Sequence, residues 1–416
     1  GGLVVQVSMY EPLFEARAGG GVPVIGGFGG GGFPGGAPVT GGPGPGVPGP
    51  GIPPVPLYTI FTMGVGDSGG APVGRRIAGW NTISSQFDVL PAGGGVACAW
   101  EADSVAASNL ACFYSSAGGF DYIEATAYPT PIAFGGGFLA FSQKGAGIYS
   151  RILTHDSAQF YFMEQSPLPP FSLTLAVAAD PRAGWFMPGV PGPYIGIGLT
   201  CYAFQGGAVF MVSDGFLGGG GVARTINQGL AWTQPLPALL NITGAGMTEE
   251  PAGTRGFLST TDNVSGGWQF RNTNDQGATW NLIYDWSAAG PPFGTWLGPA
   301  FVHRCVALSP TVLVHSYFDS VSVTVGIMRS TDGGATWASV YTDPTRFVLY
   351  DMWQETTTGD LYALLDTWGA DGRIIRSQDA GASWAVWYDQ PLNILGPGGT
   401  APNTSVEGLL IAGGHR

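Results

Sequence analysis

The chain has 416 residues, room for one large domain or for two or three of ordinary size. Its formal net charge is −13, only 10% of its residues are charged, and it has no run of Lys or Arg, which argues against nucleic acid and anionic membranes as partners. The longest apolar stretches, such as Phe171–Ala179, are too short for a membrane span.

Hydrophobic residues at 44% can supply a substantial core. With so few charges, the surface must be covered by Gly, Ser, Thr, Asn, Gln and backbone. That fits a secreted protein, a packed component of an assembly, or compositional drift in an arginine-using lineage, since Lys144 is the only lysine. The sequence opens Gly1-Gly2 with no charged and apolar leader to read, so export is suspected only. The expected location is extracellular, at a cell surface or in a virion.

Three regions follow in chain order. Residues 1–18 form an N-terminal strand or arm, in which Leu3–Tyr10 (LVVQVSMY) has the branched apolar residues of a β-strand. Residues 19–56 contain 17 Gly and 10 Pro, too little side chain to build a core. They have no sustained Gly-X-Y period, so collagen is excluded. A flexible linker, a polyproline-type strand laid on a partner and a disordered tail all remain open. As a linker, this segment lets Leu3–Tyr10 reach another protein subunit. Residues 57–416 hold everything else.

Cys98 and Cys112 lie in two apolar runs. A hairpin folded about Val105 would set them opposite each other, which permits a cross-strand disulfide; buried free thiols are the alternative. Cys201 and Cys305 lie far apart and show no metal-ligand spacing.

A repeat dominates the third region. RTINQGLAW (Arg224–Trp232), RNTNDQGATW (Arg271–Trp280), RSTDGGATW (Arg329–Trp337) and RSQDAGASW (Arg376–Trp384) align on a tryptophan, with spacings of 48, 57 and 47 residues. Each carries Ser or Thr, then Asn or Asp, then Gly, then Trp: Asn227, Gly229 and Trp232; Asp275, Gly277 and Trp280; Asp332, Gly334 and Trp337; Asp379, Gly381 and Trp384. The side-chain oxygen of the Asp or Asn accepts hydrogen bonds from its own turn, the Gly takes a conformation closed to other residues, and the Trp packs between sheets. Tyr284, Tyr341 and Tyr388 follow their tryptophans by four residues, which the two-residue period puts on the same face. Degenerate copies are read at SSAGGFDY (Ser115–Tyr122) and THDSAQFY (Thr154–Tyr161), and a seventh at Trp80.

The flanks predict four short strands per unit: Phe347–Trp353, Asp360–Asp366, Gly372–Ser377 and Ser383–Tyr388 in the last, with Val312–Phe318, Val321–Ser330 and Thr336–Tyr341 in the one before. Four strands in about 50 residues describe a propeller blade. The repeat resembles the Asp-box (BNR) motif S/T-x-D-x-G-x-T-W, and RSTDGGATW stands close to its ideal form. The resemblance implies an all-β propeller in which the box is the turn between the third and fourth strands of a blade. Seven blades are expected, with six or eight as alternatives. Ser405–Ala412 is expected to close the ring as the inner strand of the blade begun by Leu57–Met63.

The resemblance says little about function, because the family spans sialidases, xyloglucan-cleaving hydrolases, sorting receptors, photosystem assembly factors and phage or surface proteins. The arginines before each repeat, Arg224, Arg271, Arg329 and Arg376, read as structural, and the Phe/Tyr-Arg-Ile-Pro opening of sialidases is absent. A glycosidase needs a pair of carboxyls across the scissile bond. Glu249, Glu250 and Asp351, near inner strands, are the candidates for a channel or groove; solvated loop charge is the plainer reading. His155, His303 and His315 fall in three different repeats without ligand spacing, and no phosphate-binding loop is present, so no metal, cofactor or catalytic residue is assigned. The leading expectation is a non-catalytic extracellular or virion module, structural or surface-binding, with a surface glycan as one ligand class. A glycoside hydrolase is the alternative.

Overall fold

The computed structural model describes residues 60–68, 71–89, 97–103, 110–115, 119–124, 132–133, 151–156, 159–165, 173–179, 186–189, 198–213, 221–236, 242–262, 268–285, 304–319, 322, 324–346, 348–366, 372–389, 403–411 and 414–415. The expectations for residues 1–56 lie outside the described residues.

Among those described there is no helix, and the strands form seven antiparallel sheets. Listed from first to fourth strand, sheet I is Asn403–Ile411, Ile60–Ser68, Ala71–Asn81 and Gln86–Val89. Sheet II is Ala97–Asp103, Leu110–Ser115, Gly119–Glu124 and Ile132–Ala133. Sheet III is Arg151–His155, Phe160–Gln165, Leu173–Ala178 and Phe186–Gly189. Sheet IV is Gly198–Ala203, Val209–Ser213, Gly221–Thr225 and Thr233–Leu236. Sheet V is Ile242–Glu249, Gly256–Asp262, Trp268–Thr273 and Asn281–Asp285. Sheet VI is Cys305–Ala307, Leu313–Asp319, Thr324–Ser330 and Ala338–Asp343. Sheet VII is Val348–Glu355, Leu361–Asp366, Arg373–Ser377 and Ala385–Tyr388, with Gly414–His415 paired on the other side of Val348–Glu355.

First strands touch first strands from I to VII and back to I, so the sheets stand in a ring, the arrangement of a β-propeller. The C-terminal residues span its seam. Asn403–Ile411 pairs with Ile60–Ser68 of sheet I, and Gly414–His415 pairs with Gln354 and Glu355 of sheet VII.

The core lies between facing sheets. Second strands such as Leu313–Asp319 are buried along most of their length because both faces meet a neighbouring sheet, whereas fourth strands such as Ala385–Tyr388 are half exposed. Each repeat tryptophan fills the wedge toward the preceding sheet: Trp232 between III and IV, Trp280 between IV and V, Trp337 between V and VI, and Trp384 between VI and VII.

The tyrosines four residues later do not share that face. Tyr284 packs toward sheet VI, Tyr341 toward sheet VII, and Tyr388 against Phe87 of sheet I. The cause is a bulge. In the last three fourth strands one residue, at 283, 340 or 387, has no register partner, and one extra residue reverses the alternation of faces.

The degenerate repeats also need correction. SSAGGFDY spans the second and third strands of sheet II, and THDSAQFY the first and second strands of sheet III, so neither is a third-to-fourth turn. Trp80 lies within the third strand of sheet I. The hairpin register also differs from one folded about Val105, which bears on the two alternatives for Cys98 and Cys112. Cys112 pairs with Glu101, three residues beyond Cys98, an offset of about 10 Å along the strand and beyond disulfide reach. Cys201 and Cys305 are buried in the first strands of sheets IV and VI.

Candidate functional site

The four repeat turns share one hydrogen-bond scheme. In the third, Ser330 Oγ donates to Asp332 Oδ1 at 2.8 Å and accepts from the Gly334 amide at 2.8 Å. Asp332 in turn accepts from the Thr336 amide at 2.9 Å and the Thr336 hydroxyl at 2.6 Å. Thr273 and Asp275, and Ser377 and Asp379, repeat it, and Asn227 supplies the amide oxygen in the first turn. The Ser383 hydroxyl and amide hold the Asp379 carboxyl down at about 2. Burial pushes Asp275 up, but bonds from Thr279, Thr273 and Ala278 outweigh it and bring the group to about 2. These carboxylates are engaged with their own turns.

Two consecutive residues in each turn have left-handed backbone: Gln228 and Gly229, Gln276 and Gly277, Gly333 and Gly334, Ala380 and Gly381. At Gly277 (φ +72°) an added Cβ would also come within 2.3 Å of Phe210 on the preceding sheet, whereas at Gly333 (φ +75°) the nearest atom is 3.1 Å away. Gly277→Ala is therefore expected to cost about 2–4 kcal/mol from backbone strain plus overpacking, and Gly333→Ala about 1 kcal/mol. Urea midpoints of the two variants check the ordering.

Two of the four arginines before the turns tie neighbouring sheets together. Arg224 Nε donates to the Gln276 carbonyl, and Arg329 Nε to the Ala380 carbonyl at 2.9 Å, each reaching the next sheet's turn. Arg271 instead bonds Thr260 and Gln269 within its own sheet. Arg376 pairs with Asp360.

The three carboxyls proposed for a channel or groove are buried, not solvated. Glu249, last residue of its strand, accepts from the Gln205 amide of sheet IV at 2.7 Å and from Gln276 Nε2 at 3.5 Å. Glu250 caps its own tight turn, taking the Thr254 hydroxyl while its amide and carbonyl bond Arg255 and Gly253. Asp351 faces Arg304 Nε of sheet VI at 3.4 Å and accepts from the Met352 amide at 3.0 Å and the Leu409 amide at 3.4 Å. It thus joins the first strands of sheets VII and I to the residue just before the first strand of sheet VI.

The fold assembles two further clusters whose partners the sequence did not bring together. Arg373 bridges Asp343 at 2.7 Å and Asp389 at 2.8 Å, and Arg346 reaches Asp389 at 3.3 Å, across sheets VI and VII. No pattern marks these residues, because their partners lie 16 to 43 positions away. His315 is fully buried between sheets V and VI, its Nε2 2.8 Å from Ser259 Oγ, and ringed by Trp268, Phe270 and Trp337.

Burial lowers the His315 pKa to about 4, despite the Ser316 carbonyl. The unfolded chain therefore takes up this proton first. Stability is unaffected by His315 above its ordinary value of 6.5 and falls as pH drops from there to about 4, by on the order of 3 kcal/mol. Urea unfolding of His315→Gln between pH 7 and 4.5 should lack that part of the pH dependence. No group of three or more metal-ligating side chains occurs among the described residues.

No protein-family profile and no curated protein matches the chain. Among solved structures it is similar to a protein from Lactobacillus plantarum, at 8% identity and a TM-score of 0.53, over 86% of this chain and 99% of that one. It is also similar to the GH74 xyloglucanase from Xanthomonas campestris, at 14% identity and a TM-score of 0.48, over 68% of this chain. The chain spans 44% of that enzyme's length. A third likeness is YCF48 bound to D1 peptide, at 11% identity and a TM-score of 0.43, over 67% of this chain and 76% of that one. Likeness at this identity speaks for the fold alone. The chain has a β-propeller fold.

Proposed function

We propose that the chain is a seven-bladed propeller built on Asp-box turns, working as a non-catalytic module of an extracellular or virion assembly. Residues 1–56 serve as its connection to neighbouring subunits. The observation that carries this reading is the state of Glu249, Glu250 and Asp351. All three are buried and engaged with neighbouring strands and turns, where a glycosidase needs two carboxyls facing each other across a substrate groove. The sparsely charged surface and the apolar Leu3–Tyr10 segment ahead of a Gly/Pro stretch support assembly.

Deleting residues 1–56 and measuring mass in solution, or incorporation into the native particle, tests the connection. The truncated chain is expected to lose assembly, and assembly unchanged from the intact chain would overturn the reading. Incubation of the intact chain with a panel of polysaccharides tests the absence of catalysis. Release of new reducing ends would replace this reading with a glycoside hydrolase.

A further inference from the structure

Internal repetition singles out one charge cluster, at the joint between sheets VI and VII. Arg373 stands three residues ahead of the repeat arginine Arg376, and the same place in the other three units holds Gly221, Trp268 and Gly326. A guanidinium at this point is therefore no requirement of the fold. Arg373 opens the third strand of sheet VII, Asp343 ends the fourth strand of sheet VI, and Asp389 directly follows the fourth strand of sheet VII. Arg346 lies just before the first strand of sheet VII. The repeat turns join third strands to fourth strands, so these four residues gather at the opposite end of the sheets.

The fold anchors both arginines. The Asp343 side chain is 1% exposed and accepts Arg373 Nη1 at 2.7 Å, the Thr345 hydroxyl at 2.7 Å and the Tyr341 hydroxyl at 3.0 Å. Burial pushes the Asp343 pKa up, but bonds from Thr345, Arg373 and Tyr341 outweigh it and hold the group below the usual carboxylate range. The charge that positions Arg373 therefore persists. Arg346, with 9% of its side chain exposed, is fixed by the Thr345 carbonyl and hydroxyl at 3.3 Å each.

Asp389 is held far less firmly. Its side chain is 39% exposed, and among the described residues its carboxylate meets only the two guanidiniums. It takes one N–H from each, Arg373 Nη2 at 2.8 Å and Arg346 Nη2 at 3.3 Å. The second is longer than the roughly 2.7–2.9 Å of a good charge-assisted bond. Nε of both arginines is buried with no partner among the described residues. The fork thus holds donors that Asp389 leaves unused, which suits a group with more oxygens and more charge than one carboxylate.

We propose that Arg346 and Arg373 form a site for a tetrahedral oxyanion, a sulfate or phosphate group, with Asp389 as its internal placeholder. The entering anion takes the place of Asp389, whose side chain turns out to water from a position already partly exposed. Two guanidiniums then face the anion against one retained carboxylate, Asp343, itself held by Thr345, Tyr341 and Arg373. The cost of displacing Asp389 keeps the affinity of the intact chain low. The site stands apart from residues 1–56 and does not depend on the assembly reading.

Calorimetric titration of inorganic sulfate and inorganic phosphate, at constant ionic strength set with chloride, tests the site. Asp389→Ser is expected to bind either ion at least about ten-fold more tightly than the intact chain, because the internal competitor is gone. Arg373→Lys in that background keeps the charge and a donor for Asp343 but loses the planar fork. It should weaken binding about five-fold or more, the worth of one hydrogen bond. Acetate, a planar monoanion, should bind Asp389→Ser about five-fold more weakly than sulfate does. A melting curve for each chain separates loss of the site from loss of the fold. Glucose 6-sulfate and glucose 6-phosphate retain the affinity of the free ions if the site takes an esterified group, and lose it if the site takes only the free ion. Equal affinity of the intact and Asp389→Ser chains, binding indifferent to Arg373→Lys, or acetate binding as tightly as sulfate would each overturn the proposal.

Discussion

Removing Ser405–Arg416 is expected to abolish cooperative folding of the whole ring or to lower its melting midpoint by more than about 10 °C. The deletion removes most of the strand that pairs with Ile60–Ser68, together with the Gly414–His415 bridge to sheet VII. Leu409 and Ile411 are fully buried, and burying a side chain of that size is worth about 1.5–3 kcal/mol. The loss also exposes the backbone edge of Ile60–Ser68 and removes the Leu409 amide from Asp351. Together these approach the whole stability of a typical domain. A frayed terminus would behave differently, with a midpoint within about 2 °C of the intact chain. Scanning calorimetry separates the two outcomes.

Asp351→Ala is expected to be the most damaging single substitution among the candidate carboxyls, costing on the order of 3–5 kcal/mol. Asp351 is completely buried, faces the buried Arg304 guanidinium, and receives amides from its own strand and from Leu409 of the closing strand. Truncation removes the countercharge without returning Arg304 to water. Asp351→Asn retains an oxygen acceptor for the two amides and should fall between Ala and the intact chain. Replacing both residues, Asp351→Leu with Arg304→Met, should recover much of the loss, since an apolar pair carries no desolvation penalty. Urea titrations of the four chains check that order, and a double variant less stable than Asp351→Ala would show that the charge pair is not the cause.

Local physics made part of this protein legible. In Ser330–Trp337 the bonds made by the Ser330 and Asp332 side chains close within four residues, so the residue types there specify the turn. The same holds for Thr273–Trp280 and Ser377–Trp384. The four strands of the last unit followed from apolar alternation, and the structure has them at Val348–Glu355, Leu361–Asp366, Arg373–Ser377 and Ala385–Tyr388.

Where the determinants were not local, pattern failed. An aromatic residue near a Ser or Thr also occurs in second and third strands, so Tyr122 and Tyr161 passed for repeat positions. A single unpartnered residue reversed the faces of Trp and Tyr, and nothing in their four-residue spacing signals it. A register three residues from the expected one separated Cys98 from Cys112. Glu249 and Asp351 read as solvated because sequence shows a charge without showing its partners. Those partners, Gln205, Arg304 and Leu409, lie 44 to 58 residues away. Residue type and turn chemistry thus determined the repeat and its strands. Only the closing of the ring, which brings distant strands within hydrogen-bond reach, decided which charges are buried and which faces meet.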